Sequence, residues 1–188
     1  MVRLRPALIF KKQAASEIRR LFAGPFLPNF LLRRYLIPIV PNIRNLRFQA
    51  VHTDDVAEAY RLALLNDVTG PINVAADPVL DSKELAGILD AKRIRVPRRV
   101  VRVLADFTWR LHLQPTPAGW VDMALQAPIM DTARARAMGW APKHTAGQAL
   151  LDLLEGMKAG AGMDTPPLEP GGAGPLRLGE FLTGVGRR

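Results

Sequence analysis

The stretch LRFQAVHTDDVAEAYRLAL, Leu46 to Leu64, decides the fold. Arg47 to Val51 alternates as a strand does, placing Arg47, Gln49 and Val51 on one face and Phe48, Ala50 and His52 on the other. An acidic pair follows, and Asp54 or Asp55 can accept the free N–H groups of a helix N-terminus and complement its dipole. The helix then presents Val56, Ala59, Tyr60, Ala63 and Leu64 at the spacing of a buried stripe. Strand, acidic turn and amphipathic helix therefore follow one another without a spacer.

Upstream, Val2 to Phe10 predicts a buried strand with a bend or an edge at Pro6. A helix is expected over Ala14 to Phe22, stopped by Gly24-Pro25. Pro25, Pro28, Pro38 and Pro41 make Pro25 to Asn45 read as a lid-like loop with one short helical piece. Downstream, Ile72 to Ala75 and Ile94 to Val96 are strand candidates, and Asp81 with Glu84 forms a capping box for a helix ending at Leu89. Pro97 suits the first turn of a helix whose Val100, Val103, Leu104, Phe107 and Leu111 share a face. Gln114 to Gly119 reads as a loop, a short helix starts at Asp131/Thr132 and stops at Gly139, and Thr145 with Gln148 caps a last helix striped by Leu150, Leu153, Leu154 and Met157.

Four of these segments, VRLRPALIF (Val2 to Phe10), the opening stretch, GPINVAADPVLDSKELAGIL (Gly70 to Leu89) and Pro128 to Met157, stand in an order that resembles the second half of extended short-chain dehydrogenase/reductases, the NAD-dependent epimerase/dehydratase family. The resemblance implies an α/β fold, the C-terminal part of a Rossmann-like enzyme with its smaller substrate domain. Residues 1–158 would form that portion, and the Gly/Pro-rich residues 159–188 a flexible tail. It also implies NAD or NADP as cofactor and a sugar-like or other hydroxy/carbonyl small molecule as substrate. A strand beginning almost at Met1, in the middle of this pattern, is expected of an internal start or a shifted reading frame.

The machinery that the family uses is missing from the sequence. Gly171, Gly172 and Gly174 follow no apolar strand and so make no dinucleotide-binding turn. Ile39 and Leu64 stand four residues after Tyr35 and Tyr60, so neither tyrosine begins the family's Tyr-x-x-x-Lys pair. The chain alone is expected to be inactive and not to bind dinucleotide tightly, and no catalytic residue is assigned. By resemblance, Arg5 and Pro6 would lie close to the nicotinamide, although Lys11-Lys12 stands where the family has a Gly-Pro turn. Pro6 reads equally as a bend in a core strand.

Phe48, Gln49 and His52 occupy the strand where nucleotide-sugar epimerases read Arg-Asp-Tyr-Ile-His, and these three are the substrate-binding candidates. Phe48 in the arginine position removes a bidentate phosphate clamp and favours a smaller or more apolar substrate. For His52 the preferred reading is structural, ordering the turn, with substrate contact as the alternative. Asp54 and Asp55 read as helix caps rather than an acid/base pair. No Ser-His-Asp constellation can be built from Ser16 or Ser82.

Composition narrows the remaining classes. The 188 residues, 48% of them hydrophobic, suffice for one core, yet half of a fold would leave apolar faces for a partner chain or a second copy. No apolar run is long enough to span a membrane, the Met1 end lacks a signal-peptide layout, and a cytoplasmic protein without membrane association is expected. The chain has no cysteine, and three scattered histidines are poor material for a metal site. The net charge of +9 keeps a basic nucleic-acid binder as a minor alternative, behind a non-catalytic interaction module. The arginines are dispersed and follow no nucleic-acid-binding motif.

Overall fold

In the computed structural model, Val2 to Phe10 is two strands, and the break at Ala7 organises the molecule. The structure describes residues 1–15, 18, 37–111 and 116–163. β1 (Val2–Pro6) pairs in parallel with β6 (Gly70–Val74), with Leu4 opposite Ile72 and Pro6 opposite Val74. One residue later β2 (Leu8–Phe10) pairs in parallel with β5 (Ala50–His52), with Phe10 opposite His52. Ala7 donates its N–H to Val74 O and Leu8 donates to Gln49 O, so the switch of partner takes a single step. The expected bend at Pro6 is therefore a change of sheet.

A second switch lies in the opening stretch. β4 (Arg47–Phe48) is antiparallel to β7 (Leu80–Asp81), and the chain then moves through Gln49 into β5. Strict alternation fails here, because Ala50, Val51 and His52 are all buried: β5 is covered on both faces. β3 (Ile39–Asn42) was expected to be loop, and it pairs in parallel with β8 (Lys92–Arg95). Lys92 N donates to Pro38 O and Val96 N to Asn42 O, so by alternation the Pro41 nitrogen faces away from β8 and costs no ladder bond.

The α-helices whose bounds fall within the described residues are α1 (Thr53–Leu65), α2 (Ser82–Leu89), α3 (Arg98–Arg110), α4 (Gly119–Gln126), α5 (Ala133–Ala137) and α6 (Ala146–Ala159). The expected acidic caps of α1 give way to His52, whose Nδ1 accepts the Asp54 N–H, and both aspartates fall in the first turn. Val56, Ala59 and Ala63 are buried as expected, whereas Tyr60 and Leu64 point to water. Asp81 caps α2 by accepting the Lys83 and Glu84 N–H groups. Thr145 and Gln148 form the reciprocal box expected at α6. α4 was not anticipated; of the helix expected at Ala14 to Phe22 only Ala14, Ala15 and Ile18 are described, Ala14 closing a 3-10 turn that starts at Lys12, and the loop over 25–36, Tyr35 and the Gly171 cluster lie outside the described residues.

Two cores position the site. One gathers Phe10, Ala50, Leu80, Leu153 and Met157 between β2, β5 and α6. α6 reaches this depth because Gly156 has no side chain; a Cβ there would overlap the Lys12 carbonyl oxygen and lie 2.8 Å from Ala15 Cβ. The other core gathers Val51, Val56, Ala59, Ile72, Val74 and Trp140. Trp140 is 1% exposed and donates its indole N–H to Asp55 O at 2.8 Å, tying the loop before α6 to α1.

Candidate functional site

Parallel α/β folds bind ligands outside the carboxyl ends of their strands. At the ends of β2 and β5 lies an open cleft of about 520 Å³, walled by Lys11, Lys12, Gln13, His52 and Asp54 on one side and by His144, Gln148, Leu151, Asp152 and Glu155 on the other. The walls meet through charge. Lys12 donates its backbone N–H to Asp152 Oδ2 at 2.8 Å and its ammonium to Glu155 at 3.0 Å, while Lys11 reaches Asp54 at 3.4 Å.

Two histidines stack beside the cleft with ring centroids 4.1 Å apart. His52 Nδ1 accepts the Asp54 N–H at 3.3 Å, which leaves Nε2 to carry the proton toward Asp152 Oδ2 at 3.5 Å. His144 has the opposite arrangement. Buried Asp55 accepts the backbone N–H groups of Lys143 and His144 at 2.8 and 3.0 Å, and its Oδ2 lies 3.1 Å from His144 Nδ1. Asp55 is thus an acceptor that holds a proton on Nδ1, leaving His144 Nε2 as the accepting nitrogen of a cleft side chain.

The arrangement offers a ligand a proton acceptor, two ammonium groups and several carboxylate oxygens. Gln13 adds a buried Oε1 that has no hydrogen-bond partner among the described residues. Ser82 hydrogen-bonds Asn42, away from the cleft. Among the described residues no cluster of three potential ligands could hold a metal ion.

Of the cofactor and substrate candidates Arg5, Pro6, Phe48, Gln49 and His52, only His52 lines the cleft. Arg5 stands on the exposed side of β1 and Pro6 sits half-buried at the change of sheet. Phe48 packs against the core that contains Phe10 and Leu153. Gln49 turns its amide to Met130, donating to its carbonyl at 3.2 Å and accepting its N–H at 2.7 Å. His144, Asp152 and Glu155 escaped sequence reading, and the three histidines that look scattered include two in contact. One signal was available: Gln148, Asp152 and Glu155 recur at helical spacing opposite the apolar stripe of α6.

No family model matches the chain. Uncharacterised proteins of Mycobacterium tuberculosis (Rv2047c) and Mycobacterium bovis (Mb2073c) are 27% identical over 165 residues, which is 86% of this chain and 17% of theirs. Among solved structures, that of gox2253 superposes with a TM-score of 0.51 at 17% identity, covering 84% of this chain and 49% of its own. The fold is Rossmann-like and corresponds to about half the length of that structure. The UDP-glucose 4-epimerase of Thermotoga maritima, solved with UDP-glucose, superposes less closely, with a TM-score of 0.49 at 16% identity over 84% of this chain and 46% of its own.

Proposed function

We propose that residues 1–158 are the C-terminal, substrate-domain part of an NAD(P)-dependent epimerase, dehydratase or reductase acting on a sugar-like or other hydroxy/carbonyl compound. The Gly-rich turn and the Tyr/Lys pair come from a preceding segment or a partner chain, and the assembly works in the cytoplasm. The observation that carries this reading is β1, a parallel strand that is paired, among the described residues, on one edge only, in a chain that spans about half of the Rossmann-like structure it matches. Parallel sheets are stable when both faces and edges are covered, so β1 invites the strand that would continue the sheet.

In the completed enzyme Arg5 and Pro6 border the cofactor, and Phe48, Gln49 and His52 border the substrate. The cleft acceptors suit a polyhydroxylated ligand, with His144 Nε2 accepting a hydrogen bond from one of its hydroxyls. The same open edge also fits a non-catalytic module that pairs with another chain.

The test is to capture the native product with an antibody to residues 148–157, record its intact mass, and titrate NADH and NADPH into both the captured material and the 188-residue chain. A larger chain or a complex that binds dinucleotide, beside an isolated chain that does not, is the expected result. A lone 20.7 kDa product without cofactor binding overturns the enzyme reading, whereas stoichiometric micromolar binding by the isolated chain overturns the placing of the cofactor machinery outside it.

A further inference from the structure

α3 is amphipathic in the wrong direction for a core helix. Its apolar arc holds Val100, Val103, Leu104, Phe107 and Leu111, each between 45% and 66% exposed, and none of them joins a core. No residue of the helix is buried. What holds it is its other flank, where Arg98 bonds Asp122 of α4 at 2.8 Å and Arg102 lies 3.5 Å from the same carboxylate. That brace draws two arginines to one acid and leaves the apolar arc facing outward.

The charge around the arc selects its occupant. Arg93 and Arg95 of the exposed strand β8 lead into Arg98, Arg99, Arg102 and Arg110, against Asp106 as the one acid of α3, which pairs with Arg110 at 2.8 Å. On a helical wheel Arg99 and Arg110 border the arc beside Val103. Exposed Val, Leu and Phe bordered on one side and backed by arginines make the pattern of a helix lying in the plane of a membrane interface, its apolar side chains in the acyl boundary and its cations among headgroups. A second copy of a chain of net charge +9 would bring like rims together, and a nucleic acid would leave the apolar arc in water. No helix among the described residues is long and apolar enough to cross a membrane, so the contact is with its surface.

We propose that the face of α3 docks on an anionic lipid bilayer. The test is cosedimentation of the full chain with phosphatidylcholine vesicles and with vesicles containing about a quarter phosphatidylglycerol, at low and high salt. Binding should be at least about tenfold stronger to the anionic vesicles and should weaken with salt. Phe107→Asp and Arg99→Glu should each lower anionic-vesicle binding about tenfold while the circular dichroism spectrum keeps its helical signal. Equal binding to both compositions, no binding to the anionic one, or folded variants that bind like the wild type would overturn the proposal. A wild-type dimer that Phe107→Asp dissociates, without vesicle binding, would give the face to a second copy instead. Should a variant fail to fold, the wild-type comparison of the two lipid compositions still decides.

Discussion

α6 and α3 are helices of 14 and 13 residues with clear apolar stripes, and they meet opposite fates. α6 buries Leu153 and Met157 against β2 and β5, is closed at its start by a reciprocal cap, and lets the backbone at Lys12 approach through Gly156. No residue of α3 is fully buried, and ion pairs tie it to a short helix. Hydrophobic periodicity therefore identifies a helix and its apolar face without saying what that face meets. Where the opposing surface lies within the chain the stripe becomes core; where it does not, the stripe is left as a surface for something else.

Substitutions can break this contrast. The largest effect is expected at Trp140, where alanine empties a fully buried site and removes the tie to Asp55 O; we expect a loss of about 4 kcal/mol in urea unfolding. Gly156→Ala should cost about 2 kcal/mol, because the added methyl meets the Lys12 carbonyl, which α6 must move away to accommodate. Phe107→Ser on α3 should change stability by no more than about 0.5 kcal/mol, although it removes a larger side chain than the glycine change adds. A loss at Phe107 comparable with that at Trp140 would mean that the face of α3 is packed in solution and would collapse the comparison.

Much of the fold was legible because local chemistry and the final structure agree. Asp81 caps its helix, the Thr145 and Gln148 box forms, and the α1 stripe is buried through Val56, Ala59 and Ala63. What was not legible depends on partners far along the chain. Nothing near Ala7 signals that the strand will leave β6 for β5, and the alternation of Arg47 to Val51 gives no hint that β5 is covered on both sides. The site suffered most from this. His52 and His144 are brought within 4.1 Å by the packing of α6, and Asp55 serves His144 rather than its own helix terminus. Gln49 sits where a ligand contact is expected, and its amide is taken by the backbone of Met130.

The path of Val2 to Lys12 also has a consequence for how the protein comes into being. These residues find partners at 70–74, then at 50–52, and then at Asp152, which lies 140 positions away in sequence. Each contact must close a long loop before it stabilises anything, and non-local pairing of this kind makes folding slow. On the ribosome Val2 to Phe10 must therefore wait, with its strand edges unpaired, until residues 50–74 have emerged, and Lys12 must wait until α6 has been synthesised. During that interval the nascent chain is open to capture by chaperones or to pairing with the wrong strand.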